Sequence, residues 1–100
     1  MLNFVICDDD IRMITKLSAI IEKVVLIYDY DARIVFKTTD YNNLIDYISS
    51  NSVNVVFLDI EFSGCNENGL DIAQKIRNIN KNCYLIFVTS HFEYIANAYK

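Results

Sequence analysis

Polar residues able to do chemistry stand directly after three apolar runs in this chain. Asp8, Asp9 and Asp10 follow Phe4-Val-Ile-Cys7, Asp59 follows Val55-Val-Phe-Leu58 with Glu61 two residues on, and Thr89-Ser90-His91 follow Tyr84 to Val88. Asp10 on its own reads as a helix N-cap. Asp59 is the sharpest case, because a charge after Val-Val-Phe-Leu is costly unless its carboxylate reaches a polar pocket. Brought into one mouth, such carboxylates repel by roughly 4 kcal/mol per pair at about 4 Å and an effective dielectric near 20. A cluster of this kind persists by holding a proton or a divalent cation, and hard oxygen ligands favour Mg2+ over zinc. A Mg2+ beside a hydroxyl suits a phosphoryl group: the metal offsets the charge of the phosphoryl oxygens, and Thr89 can donate to one of them. His91 reads as a rim residue, since no second histidine is present to share a metal.

The chemistry requires these runs to be neighbouring strands, and the hydrophobic period supplies that arrangement. Residues 3–8 are a short buried strand, after which Ile11, Ile14, Leu17, Ile21, Val24 and Val25 recur at helical spacing. Ala32 to Lys37 is β-branched and aromatic with charges at Arg33 and Lys37, as a strand near a sheet edge should be. Thr39 or Asp40 can cap a helix carrying Leu44, Ile45 and Ile48 that ends near Asn51. Val53 to Ile60 reads as a central parallel strand buried on both faces. A loop with Gly64 and Gly69 leads into a third helix on Ile72, Ala73, Ile76 and Ile79. Cys83 to Val88 is predicted as a fourth buried strand, and Phe92, Ile95, Ala96 and Tyr99 as the start of a fourth helix. Alternating strands and helices imply an α/β fold with a parallel sheet, and right-handed crossovers leave few topologies. The simplest is a flavodoxin-like doubly wound sheet of order 2-1-3-4. Its ligand site lies beyond the carboxyl ends of strands one, three and four.

Composition bounds the rest. One hundred residues, 53% of them apolar, make one domain at most and exclude a disordered segment. No apolar run approaches the roughly 20 residues of a membrane span, and the N-terminus has no signal-peptide pattern. A net charge of −4 argues against direct contact with nucleic acid or anionic lipid. Setting aside Asp8, Asp9, Asp10, Asp59 and Glu61 leaves eight acids against nine bases, so the acidity is local to the strand ends. Cys7, Cys65 and Cys83 contain no C-x-x-C pair and read as free thiols in a reducing cytoplasm, with Cys7 a buried hydrophobe and Cys65 in a polar loop.

Four stretches together resemble the receiver domain of bacterial response regulators, within them the LytTR-type regulators. They are Phe4-Val-Ile-Cys-Asp-Asp-Asp10, Val56-Phe-Leu-Asp-Ile-Glu-Phe62, Gly69-Leu-Asp-Ile-Ala-Gln-Lys-Ile-Arg77 and Ile86-Phe-Val-Thr-Ser-His-Phe-Glu-Tyr94, in the family's order and spacing. The resemblance implies that Asp59 is the phosphoacceptor, taking a phosphoryl group from a sensor histidine kinase. It implies that Asp9 ligates Mg2+ directly and Asp8 directly or through water, with Asp59 and the backbone carbonyl of Glu61 completing the protein ligands. Thr89 would be the switch hydroxyl, and Glu61 and His91 the rim residues that tune hydrolysis of the aspartyl phosphate. The expected module is a signal relay rather than an enzyme. The chain departs from the family at its end: Lys100, eleven residues beyond Thr89, comes too soon to be the lysine that closes the family's fifth strand. The expectation is a receiver without its fifth strand and fifth helix, in which strand four is an open apolar edge. The parent regulator would carry a LytTR DNA-binding domain further on, and a homodimer is compatible with the resemblance. Two rival readings are a pseudo-receiver that binds partners without phosphorylation and a haloacid-dehalogenase-like phosphatase with Asp8 as nucleophile. The second lacks the Thr or Val usual after Asp8-x-Asp10, where Arg12 stands, and the later acidic pair.

Overall fold

A computed structural model describes residues 1–60 and 69–88. Glu61, Cys65, Thr89, His91 and the fourth helix expected from Phe92 lie outside the described residues. The elements alternate as expected: β1 (Leu2–Cys7), α1 (Ile11–Ile27), β2 (Ala32–Thr38), α2 (Tyr41–Ser50), β3 (Val55–Asp59), α3 (Gly69–Ile79) and β4 (Tyr84–Val88). The four strands form one parallel sheet in the order β2-β1-β3-β4. Among the described residues, no helix is long and apolar enough to cross a membrane.

The first two helices each begin where a side chain satisfies orphan N–H groups. The Asp10 carboxylate accepts from the Arg12 backbone N–H at 2.9 Å and from the Arg12 guanidinium at 3.2 Å, which holds the Asp10 carboxyl below its usual range. At α2 the cap is Asp40 rather than Thr39, its Oδ1 accepting from Asn42 at 2.7 Å and Asn43 at 3.2 Å. Asp40 is held there because the Thr38 hydroxyl accepts its backbone N–H at 3.1 Å. An Asp40→Ala variant should therefore lose about 1 kcal/mol, read as a lower urea midpoint at unchanged slope. Past α1 the chain turns through Asp29 at a φ of 53°, a left-handed conformation that aspartate tolerates better than most residues.

Alternation along the strands sends side chains to two cores. Val5, Cys7, Val56 and Leu58 face α2 and α3, packing with Leu44, Ile48, Ile72 and Ile76. Ile6, Phe4 and Phe57 face α1, packing with Ile14 and Ile21, and the Phe4 and Phe57 rings meet edge to face. β3 is central, as its apolar run requires, but shorter than Val53 to Ile60. Asn54 and Asn3 bracket its start, Asn54 donating to the Asn3 carbonyl at 2.9 Å while its Oδ1 accepts the Asn3 N–H at 2.7 Å.

The burial expected from the apolar run of the fourth strand is not found, while the open apolar edge expected from the resemblance is present among the described residues. Tyr84 is 73%, Ile86 44% and Phe87 38% exposed, with Leu85 turned inward against the larger core. β4 is the last strand in the sheet among the described residues, so its outer flank lacks a packing neighbour there. An apolar composition cannot distinguish that edge from an interior strand. The start of β4 is tied to α3 by the Arg77 guanidinium, which donates to the Cys83 carbonyl.

Candidate functional site

Strand order places the ends of β1 and β3 side by side, and the acids that follow them converge. Carboxylate oxygens of Asp8, Asp9 and Asp59 all lie within 4.8 Å of one another. Asp10, by contrast, is turned away to cap α1, as its separate reading anticipates. β1 and β3 pair as far as Cys7 and Leu58, so the next residue on each strand opens into the mouth. There the Asp8 N–H extends the β1–β2 ladder by one step, donating to the Thr38 carbonyl at 3.2 Å. Asp9 is the more open of the three acids, while Asp8 and Asp59 are 8% and 7% exposed.

Two of the three acids are therefore largely removed from water, and this governs the site's electrostatics. Burial pushes the Asp8 carboxyl above its ordinary value, and the charges of Asp9 and Asp10 add to the rise. The Asp10 N–H, donating to Asp8 Oδ1 at 2.9 Å, works in the opposite sense by favouring the carboxylate. Burial also raises the Cys7 thiol, with further contributions from Asp8, Asp40, Asp59 and Asp9. Cys7 is therefore a neutral core side chain rather than a reactive thiolate. The donor set is all hard oxygen and compact enough to share one ion. It fits a hard divalent cation such as Mg2+.

Two residues that sequence reasoning had not placed in the site hold the backbone carbonyls of Asp59 and Ile60. The Tyr41 hydroxyl donates to the Asp59 carbonyl at 3.1 Å in a buried position. Gly69 donates its N–H to the Ile60 carbonyl at 2.7 Å, and a Cβ on Gly69 would stand 2.6 Å from both the Asp59 carbonyl oxygen and the Ile60 Cα. The signals for Gly69 were its place in the loop before the third helix and at the head of the third stretch of the resemblance, and for Tyr41 its place directly after the cap. Glu61, Thr89 and His91 lie outside the described residues.

Comparison with known proteins gives this geometry a family. The response regulator receiver domain matches residues 4–100. Accessory gene regulator protein A of Staphylococcus epidermidis is 32% identical over 98 residues, covering 95% of this chain and 41% of the relative. The chain thus spans well under half the length of the curated relatives it matches. Among solved structures, response regulator TrrA of Thermotoga maritima, in complex with Mg2+ and BeF, superposes with a TM-score of 0.75 at 22% identity. That likeness covers 97% of this chain and 76% of TrrA. RcsB of Salmonella typhimurium superposes with a TM-score of 0.74 at 18% identity, covering 88% of this chain and 42% of RcsB. With the sheet order, the acids at the ends of β1 and β3, and a family match over nearly all of its length, the chain belongs to the response regulator receiver domains of two-component systems.

Proposed function

We propose that Asp59 accepts a phosphoryl group from the phosphohistidine of a sensor kinase, within a LytTR-type transcriptional regulator of the cytoplasm. The reading is carried by the convergence of Asp8, Asp9 and Asp59 at the carboxyl ends of β1 and β3. It is supported by the relatedness to accessory gene regulator protein A. Solved complexes add support at the level of fold, one joining histidine kinase ThkA to TrrA and another holding TrrA with Mg2+ and BeF.

An Asp59 carboxylate oxygen attacks phosphorus, the phosphorus–nitrogen bond of the donor breaks, and the imidazole nitrogen leaves with its electron pair. The product is an acyl phosphate on Asp59. Asp8, Asp9, Asp59 and the backbone carbonyl of Glu61 would hold Mg2+, which when bound offsets the negative charge of the phosphoryl oxygens. Thr89 donates its hydroxyl to the phosphoryl group and carries the switch, while Glu61 and His91 at the rim set access of the hydrolytic water. The domain is a phosphoacceptor and relay, and DNA contact belongs to a LytTR domain outside this chain. A homodimer would form through elements also outside it.

The test is incubation of the full-length protein with acetyl phosphate and Mg2+, read by intact mass and phosphate release. Wild type is expected to gain one labile phosphoryl group, which does not form when the metal is chelated beforehand and is reduced at least 100-fold in Asp59→Asn. Continuous phosphate release that ceases in Asp8→Asn but persists in Asp59→Asn would indicate the phosphatase and overturn the reading. An unmodified wild type would overturn it in favour of a phosphorylation-independent module.

A further inference from the structure

The Asp59 side chain can be aimed no better than the backbone that carries it. Asp59 is the last residue of β3, one step beyond the final β1–β3 pair of Cys7 with Leu58. On that flank the ladder ends with Cys7, whereas the Asp8 N–H serves the opposite flank of β1 by donating to the Thr38 carbonyl of β2. A backbone carbonyl at a buried strand end requires a donor, and an unmet one is costly. Here the Tyr41 hydroxyl supplies it across 18 residues of sequence, at 3.1 Å.

Tyr41 is itself well anchored. It is 5% exposed, and its ring belongs to the core cluster that holds Leu44, Val56 and Leu58. It follows the Asp40 cap directly, and Asp40 is in turn fixed by the Thr38 hydroxyl. Thr38 therefore binds the Asp8 backbone through its carbonyl and the head of α2 through its side chain. Tyr41 completes the circuit to Asp59. From the opposite side, Gly69 at the start of α3 donates to the Ile60 carbonyl and leaves no room for the peptide to rotate toward it.

We propose that Tyr41 is a positioning residue for phosphoryl acceptance: its hydroxyl fixes the Asp59–Ile60 peptide, and with it the aim of the Asp59 carboxylate, so that the head of α2 is part of the reacting site. The proposal rests on the phosphoacceptor reading of Asp59. In-line attack is sensitive to such aim, since a displacement of about 1 Å can cost on the order of 100-fold in rate. A hydrogen bond to the adjacent carbonyl controls a smaller displacement, so a smaller loss is expected.

Tyr41→Phe deletes the hydroxyl and keeps the ring in its core position. In the full-length variant, the phosphorylation rate constant at saturating acetyl phosphate and Mg2+ should fall about 5- to 20-fold. The donor concentration at half-saturation should stay within about twofold, because Tyr41 acts on the nucleophile rather than on donor binding. The carbonyl carbon-13 resonance of Asp59 should also move in the metal-free, unphosphorylated protein, which reports the hydrogen bond without any activity. Ile76→Val softens the same core at a buried α3 position and should leave both the rate and the resonance unchanged. A wild-type rate in Tyr41→Phe, an unmoved resonance, or an equal loss in Ile76→Val would overturn the proposal. A wild type that accepts no phosphoryl group would defeat the phosphoacceptor reading instead, and the resonance would still show whether Tyr41 holds the peptide.

Discussion

Asp8→Asn is expected to make the metal-free protein more stable at neutral pH while abolishing most of its response to Mg2+. The two effects have one cause. At 4.8 Å and an effective dielectric near 20, each ionised pair in the Asp8, Asp9 and Asp59 cluster costs roughly 3–4 kcal/mol before counterions screen it. Burial adds to this at Asp8, whose carboxyl is raised above its ordinary value. A raised folded-state value means that the folded protein holds the Asp8 proton more tightly than the unfolded chain does. That contribution is complete below the ordinary carboxylate range and is lost as pH rises through the raised value, so ionised Asp8 opposes folding at neutral pH. Asparagine carries no charge at any pH, yet its Oδ1 can still accept the Asp10 N–H. The variant should melt higher by several degrees at pH 7, on the scale of about 4–8 °C per kcal/mol for a domain of this size, and the gain should vanish in acid. Wild type should recover the difference on binding Mg2+, by about 2.7 kcal/mol at 100 times the dissociation constant. The variant should bind at least roughly 10- to 100-fold more weakly, the loss that even an outer-shell partner can cause. Thermal melts with and without Mg2+ across pH 4–8 check all of this, and a variant no more stable than wild type in the absence of metal would refute it.

Gly69→Ala should be the most damaging single methyl group that can be added near the site. The new Cβ would stand 2.6 Å from the Asp59 carbonyl oxygen and from the Ile60 Cα, and both are backbone atoms that no rotamer change can move aside. Alanine has the better intrinsic helix propensity, so an α3 start judged on propensity alone would gain stability. Overpacking of this kind costs about 1–3 kcal/mol, and relief requires displacing the peptide that carries Asp59. The expected result is a lower denaturation midpoint together with loss of phosphoryl acceptance greater than that of Tyr41→Phe. A Gly69→Ala protein as stable and as readily phosphorylated as wild type would show that α3 can withdraw from the β3 end at little cost.

These predictions draw unequally on what the chain's order of residues discloses. The alternation of strand and helix was legible because the apolar period changes from 2 to 3.6 and back, and among the described residues each change lies near an element boundary. The edge position of β2 was legible from Arg33 and Lys37, and the central position of β3 from its unbroken apolar run. The apolar run of β4 suggested a buried strand, and only the family resemblance pointed to an open edge, since an apolar run records what a strand can bury and not what lies beside it. The choice of Asp40 over Thr39 as cap depended on the Thr38 hydroxyl, a contact one turn of chain away that propensity does not weigh.

At the site the same division holds. The identity of the acids, and the fact that each follows a strand, are local properties, and they sufficed to single out Asp8, Asp9 and Asp59. Their local acidity within a chain otherwise close to charge balance was also readable from the residues alone. Which acids are buried, and which groups hold the backbone beneath them, were decided only by packing. The Tyr41 hydroxyl reaches Asp59 from 18 residues away, and Gly69 closes on the same peptide from α3. These contacts join residues that are distant in the chain, and pairwise closeness of that kind exists only once the sheet has brought β1, β2 and β3 together. Local sequence could thus name the charges and the strand ends, while tertiary structure alone determined how those charges are aimed.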